Sequence, residues 1–268
     1  MLAFLPPPLR AALALSLVIL NTLLLAPPLV LVSLLRLILP LAPWQRFCTR
    51  LAIRIAELWI SINSGWMRLT QTMQWEVQGL ESVDKEHWYL VAANHQSWAD
   101  ILVVQHLLNR RMPMLKFFLK HELIWVPIIG LCWWALDFPF MKRYSKAFLE
   151  KYPEKKGQDF ESTRRACEKF KQAPVAVFNF LEGTRFTPAK HAEQASPFQH
   201  LLKPKAGGMG FVVGAMGESL HSLLDITIAY PGNQGLTFMD FISGRVNHVI
   251  VRFELRPIPS EFLGRNYF

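Results

Sequence analysis

Trp88-Tyr89-Leu90-Val91-Ala92-Ala93-Asn94-His95-Gln96-Ser97-Trp98-Ala99-Asp100 is the stretch from which the fold can be read. Its first six residues form an unbroken apolar run, the length and composition of a strand buried on both faces. The run stops at Asn94-His95, as a buried strand stops at a loop. From Trp98 to Leu108 the apolar residues fall into a helical pattern, with Ser97 placed to cap it. The same grammar recurs further on. Val175-Ala176-Val177-Phe178-Asn179-Phe180 reads as a second strand, preceded by a charged helical pattern from Glu161 to Lys171. Asp225 to Tyr230 and Val249 to Arg256 read as a third and a fourth. Strands alternating with helices predict an α/β domain with a mixed, largely parallel central sheet flanked by helices. Tyr152 to Asp159 and Pro188 to Pro204 are rich in polar and breaker residues and read as exposed loops.

Outward toward the amino terminus the composition changes. Ala11 to Leu35 contains no charged residue and is bounded by Arg10 and Arg36. That is long enough to cross a hydrocarbon core of roughly 30 Å. Pro27-Pro28 interrupts it and removes two backbone donors. The segment is therefore either one kinked span or two shorter helices, about Leu9 to Ala26 and Leu29 to Leu41, forming a re-entrant hairpin. A cleaved leader is disfavoured, because the apolar run is too long and no small-x-small site follows it. Between Trp44 and Met67, Phe47, Leu51, Ile55, Leu58 and Ile62 recur at helical spacing beside Arg46, Arg50 and Arg54. This predicts an amphipathic helix lying either along a membrane face or against the domain core. Residues 1–74 are thus expected to be a membrane anchor with an interfacial helix, and residues 75–268 the catalytic domain. Arg36, Arg46, Arg50, Arg54 and Arg68 outweigh Arg10, which predicts that everything after the anchor lies in the cytoplasm.

Apolar residues make up 51% of the 268, only 18% are charged, and the formal net charge is +9. Mean hydropathy is +0.20 and the isoelectric point about 9.6. A basic chain favours an anionic partner. No RNA-binding aromatic motif, zinc-finger spacing or basic tail accompanies the charge, so an anionic membrane is expected and nucleic acid is not. Cys48, Cys132 and Cys167 are too few and too scattered for a disulfide framework or a zinc site. The remaining histidines show no ligand spacing, so no metal is expected.

Two motifs just past strand ends carry the chemistry, where open α/β sheets build their sites. His95 can remove the proton from a hydroxyl as that oxygen attacks, and Asp100 can hold the correct tautomer and stabilise the imidazolium. In Glu182-Gly183-Thr184-Arg185, glycine permits a close turn with N–H groups toward an anion. Arg185 can grip a phosphate, and Glu182 can pair with that arginine or a nearby lysine. A base for a hydroxyl and a clamp for a phosphate suit acyl transfer onto a phosphorylated alcohol. The apolar leader suggests that this alcohol is a lipid.

The pair resembles the phospholipid/glycerol acyltransferase superfamily, typified by lysophosphatidic acid acyltransferases of the PlsC group. Asn94-His95 with Asp100 matches its Asn-His-x4-Asp block, and Glu182-Gly183-Thr184-Arg185 its Glu-Gly-Thr-Arg block. Lys120-His121-Glu122-Leu123, Phe140-Met141-Lys142-Arg143 and Ile228-Ala229-Tyr230-Pro231 are similar to three further blocks. Trp98-Ala99-Asp100-Ile101, Leu136 to Phe140 and Leu202 to Gly208 look closest to the bacterial YihG-like branch. Leu181 stands where the family usually has proline, and Lys142 where it often has aspartate.

The resemblance implies His95 and Asp100 as the catalytic pair. It implies a substrate-binding set of Lys120, Arg143, Glu182, Gly183, Thr184, Arg185 and Lys205. The acceptor implied is a lysophospholipid, lysophosphatidic acid in particular, and the donor is acyl-CoA or acyl carrier protein, with no cofactor. The same chemistry on another lysophospholipid or a glycolipid is an alternative, as is a non-catalytic lipid-binding protein. Trp125, Trp133 and Trp134 are expected as core or membrane-interface aromatics, or as lining for an acyl tunnel.

Overall fold

Two long helices lead the chain into its sheet in the computed structural model, which describes residues 2–141, 152, 167–170, 173–233 and 235–262. Helix α1 (Pro7–Ile38) runs without a break through Pro27-Pro28. The chain reverses instead at Leu39, whose extended backbone suits a residue preceding proline, here Pro40. Tertiary contacts keep the part beyond the proline pair helical. Leu29, Val32 and Ser33 are buried there. The Ser33 hydroxyl donates to the Ala135 carbonyl at 3.0 Å, and Arg36 forks onto Asp137 at 2.5 and 3.0 Å. Of the two alternatives at Pro27-Pro28, the structure takes one helix rather than two, and the chain turns at residues 39–41.

Helix α2 (Ala42–Thr70) folds back antiparallel along α1. Asn21 Nδ2 donates to Asn63 Oδ1 (3.0 Å) and the Trp59 carbonyl (2.9 Å), while the Trp59 indole donates to Thr22 Oγ1 (3.0 Å). The face turned inward is Cys48, Ala52, Ala56, Ile60, Asn63 and Met67. Phe47, Leu51, Leu58 and Ile62 of the expected apolar face point outward, so of the two placements open to that face these residues do not take the one against the domain core. Size decides this, because small side chains let two helix backbones approach closely. Leu20, Leu24, Leu31 and Leu37 of α1 are exposed as well. Among the described residues, α1 is the one helix long and apolar enough to cross a membrane.

Strands β1 (Gln74–Gln78), β2 (Tyr89–Ala93), β3 (Leu115–Phe117), β6 (Ala176–Phe180), β7 (Ser222–Ala229) and β8 (His248–Arg256) form one sheet in the order β1-β8-β7-β2-β6-β3. All its pairings are parallel except β7 with β8. A mixed, mostly parallel sheet flanked by helices is what the alternation predicts. Strands β4 (Leu119–Lys120) and β5 (Phe140–Met141) form a small separate pair. The sequence reading missed β1 and β3, which occupy the two edges. β1 alternates exposed and half-buried residues, and β3 is three residues long. The four strands it found include β2, β6 and β7, which occupy the middle of the sheet.

Alternation along the strands divides the core in two. Tyr89, Val91, Ala93, Ala176 and Phe178 face a core shared with α3 (Ala99–Leu108), with α7 (Phe238–Ile242) and with Ala11 and Ala14 of α1. Leu90 and Val177 face the opposite side, where α6 (Gly207–Met216) supplies Val212, Val213 and Met216 and the helical residues 167–170 supply Cys167 and Phe170. The rest of the helix predicted from Glu161 to Lys171, and nearly all of the predicted loop at 152–159, lie outside the described residues. The predicted loop at Pro188 to Pro204 opens with a helix, α5 (Pro188–Gln194). Thr187 caps it by accepting from the Lys190 amide, and Pro188 fits its first turn. Helix α4 (Ile129–Ala135) packs beside α1. Because β2, β3, β6 and β7 are parallel, their carboxyl ends emerge along one edge of the sheet.

Candidate active site

His95 follows β2 at that edge and is 8% exposed. Its Nδ1 lies 2.9 Å from Asp100 Oδ2, and Asp100 is completely buried in the first turn of α3. The same carboxylate oxygen accepts from the Gln96 and Ser97 amides, at 2.7 and 2.9 Å. Asp100 thus gathers the two amides that lead into this helix, while the Ser97 hydroxyl accepts from the Ala99 amide at 3.3 Å. Its other oxygen accepts from the Tyr230 hydroxyl at 2.7 Å. A carboxylate only accepts, so the proton of a neutral His95 belongs on Nδ1 and leaves the Nε2 lone pair to act as a base. Phe180 stacks on the imidazole at 3.8 Å and Trp98 meets it edge-on at 6.3 Å, which fixes the ring plane.

The loop bearing His95 is tied to its neighbours on both sides. The Asn94 side chain pairs with Ile228 of β7 as a strand would, donating to its carbonyl and accepting from its amide, both at 2.8 Å. On the other side Glu182 is buried, and its two oxygens accept from the His95 amide and the Leu202 amide, each at 2.8 Å. Its partners are thus backbone amides, in place of the expected arginine or lysine. Glu182 straps the His95 loop to the segment that carries Lys205.

Gly183 adopts a left-handed conformation (φ 66°), and its N–H donates to the Phe180 carbonyl to close the turn. A Cβ there would lie 3.1 Å from the Lys205 side chain, so the glycine makes room for that lysine. Lys205 is held by its own amide, which donates to the Leu181 carbonyl at 2.7 Å. The Arg185 guanidinium lies over the Trp98 ring at 5.5 Å. Lys190, absent from the sequence-derived set, donates to Thr184 Oγ1 (2.8 Å) and to the Arg185 carbonyl (3.1 Å). Arg185, Lys190 and Lys205 therefore converge on one turn. Lys120 ends β4, just beyond β3, at the same edge of the sheet and is exposed. Arg143 lies outside the described residues.

An apolar cavity of about 490 Å³ opens beside Trp98, between α1, α2, α3 and α4. Leu29, Ala56, Trp59, Ile101, Trp133 and Phe138 are among its walls. Of the three tryptophans singled out in the sequence, Trp133 lines it, whereas Trp125 is 81% exposed. Trp98 touches all three features, as the cavity wall, the edge-on neighbour of His95 and the platform beneath Arg185. Sequence reading missed Trp98, Lys190 and Tyr230 as site residues. Tyr230 was visible in the strand-proline block, but nothing there indicated a partner. Among the described residues no three His, Cys, Asp or Glu side chains are grouped to hold a metal ion.

A family model described as Acyltransferase matches residues 74–230, more than half of the 268. The chain belongs to the acyltransferase family. It is 25% identical to the mouse 1-acyl-sn-glycerol-3-phosphate acyltransferase gamma over 81% of its length, and 24% identical to the human delta protein over the same share. It spans about three fifths of the length of these relatives, 59% and 58%. The crystal structure of the 1-acyl-sn-glycerophosphate acyltransferase PlsC from Thermotoga maritima superposes with a TM-score of 0.53 at 18% identity, covering 96% of this chain and 90% of that one. That likeness establishes the acyltransferase fold. The matches place the chain in the family and in no particular branch of it.

Proposed function

We propose that this acyltransferase moves a fatty acyl group from a thioester to the free hydroxyl of lysophosphatidic acid, giving phosphatidic acid. The observation that carries the reading is the convergence at Trp98 of a buried His–Asp pair, a cationic turn and an apolar cavity. Arg185, with Lys190, Lys205, Lys120 and Arg143, serves the phosphate, and the cavity takes an acyl chain. His95 Nε2 accepts the hydroxyl proton as the oxygen bonds to the thioester carbonyl carbon. Asp100 steadies the imidazolium that results. When the tetrahedral adduct collapses, the C–S bond breaks, and the departing thiolate takes the proton back from His95 as a thiol.

The donor is acyl-CoA or acyl carrier protein. The exposed leucines of α1 and the outward face of α2 sit in an anionic inner membrane, with Arg46, Arg50 and Arg54 toward the headgroups and the sheet on the cytoplasmic side. The names of the relatives support the acceptor. Acyl transfer by the detergent-solubilised protein tests it, with oleoyl-CoA and, in parallel, lysophosphatidic acid, lysophosphatidylcholine and monoacylglycerol. Lysophosphatidic acid is expected to be preferred, and Arg185→Ala to raise its KM while leaving that of the donor. Equal use of monoacylglycerol, or an equal rise in both KM values, would contradict the phosphate role.

A further inference from the structure

The structure assigns Tyr230 as a positioning residue that sets the basicity of His95 through Asp100. The assignment rests on the reading of His95 as the base. Tyr230 is the residue immediately after β7 and is 5% exposed within the main core. Its hydroxyl reaches the one oxygen of Asp100 that His95 and the Gln96 and Ser97 amides leave available. Two features place it there. Pro231 follows and disfavours helical backbone at Tyr230. The Asn94 and Gln96 side chains bind Ile228, two residues earlier, with three hydrogen bonds of 2.8–2.9 Å. The His95 loop and the end of β7 therefore move as one piece, and the phenol meets the carboxylate at a fixed distance.

A phenol in this position does more than fill space. It draws negative charge from Asp100 toward Oδ1, away from the oxygen that faces the imidazole, and so limits how strongly the carboxylate favours imidazolium. Burial and the Asp100 charge hold the Tyr230 hydroxyl well above its ordinary pKa, so it remains a donor throughout the working range. Among the described residues, the charged or titratable groups seen around His95 are these. Asp100 is at Nδ1, Glu182 is on its backbone amide, Arg185 is across Trp98, and Tyr230 is behind Asp100. Of these, Tyr230 is the one that bonds Asp100 on the oxygen away from the imidazole.

Tyr230→Phe removes the donor and keeps the ring. The acidic limb of the kcat/KM profile is expected to move to higher pH by about half a unit or more, with KM for the lysolipid unchanged. The His95 ring signal, followed by NMR in selectively labelled protein, should titrate at correspondingly higher pH. A ring-fluorinated tyrosine at position 230, nearly isosteric and a stronger donor, should move both in the opposite direction, and it covers the case in which Tyr230→Phe does not fold. A His95 titration that stays in place with either replacement would overturn the inference, whatever the effect on rate or melting. The NMR titration needs no turnover, so it tests the Tyr230 link even if the acyl-transfer reading fails, and that failure would appear separately as absent product in the wild type.

Discussion

At the sheet edge, both oxygens of Asp100 and both of Glu182 meet donors between 2.7 and 2.9 Å. Along the helical hairpin, by contrast, Asn21 Oδ1 and Asn63 Nδ2 are buried without a hydrogen-bond partner among the described residues. The first region is specified by polar atoms, each in its place. The second is specified by size, with alanines and a cysteine on the inner face of α2 and large side chains outside. This difference follows from what each region has to hold. A proton-transferring ring must be fixed to within a fraction of an ångström. A wall around an acyl chain needs only the right volume.

Breaking the polar order should therefore be costlier than altering the volume. Glu182→Gln keeps one acceptor but turns an amide NH2 toward a backbone N–H. It leaves either the His95 or the Leu202 amide unsatisfied, and kcat is expected to fall about a hundredfold. A fall of less than twofold would mean that the strap is dispensable. Ala56→Phe acts on the other region by filling part of the cavity between α1 and α2. We expect a modest loss of stability, about 1–3 kcal/mol by thermal unfolding, and a shift in donor preference toward shorter acyl chains. An unchanged chain-length profile would remove the cavity from the account.

The joint between the regions offers the smallest and most specific effect. Lys116 of β3 donates to the Leu136 carbonyl and lies 5.2 Å from the centre of the Phe138 ring. Arg36 of α1 grips Asp137 beside it. Burial brings the Lys116 pKa down to about 8, with Arg36 adding to the fall and Asp137 opposing it. The unfolded chain keeps that proton to about pH 10.4. Between these values the unfolded state binds more protons, so stability should rise as pH rises from about 8 toward 10. Lys116→Met should remove this rise. Parallel melting curves for the two proteins across that window would contradict the burial argument.

Much of this was legible in the sequence where burial and pattern coincide. β2 and β6 lie at the centre of the sheet, and each reads as an apolar run leading to a polar motif, whereas β7 beside them alternates more and less buried residues. The His95–Asp100 pair was legible because both residues belong to one turn entering one helix. Contacts between distant segments were not. Glu182 beside Arg185 in sequence suggested an ion pair, yet its oxygens bind the amides of His95 and Leu202, 87 residues before it and 20 after it. Tyr230 lies 130 residues from the carboxylate it binds. Hydropathy marked the apolar face of α2 at Phe47 and Leu51 but left open whether it meets the core. That is decided by the close approach to α1 through Ala52 and Ala56, because tight helix packing favours small side chains. The sequence left open whether the proline pair in α1 splits the helix, because the anchoring of Ser33 and Arg36 to residues about a hundred positions away has no local trace.

The central claim is that His95 is the base of an acyl transfer. The most direct test is to measure phosphatidic acid formed from lysophosphatidic acid and oleoyl-CoA by the wild type and by His95→Ala, each shown to be folded by its melting curve. A fall in kcat of about 10²–10⁴, or more, in the variant is expected. Near-normal turnover by a folded His95→Ala protein would contradict the account.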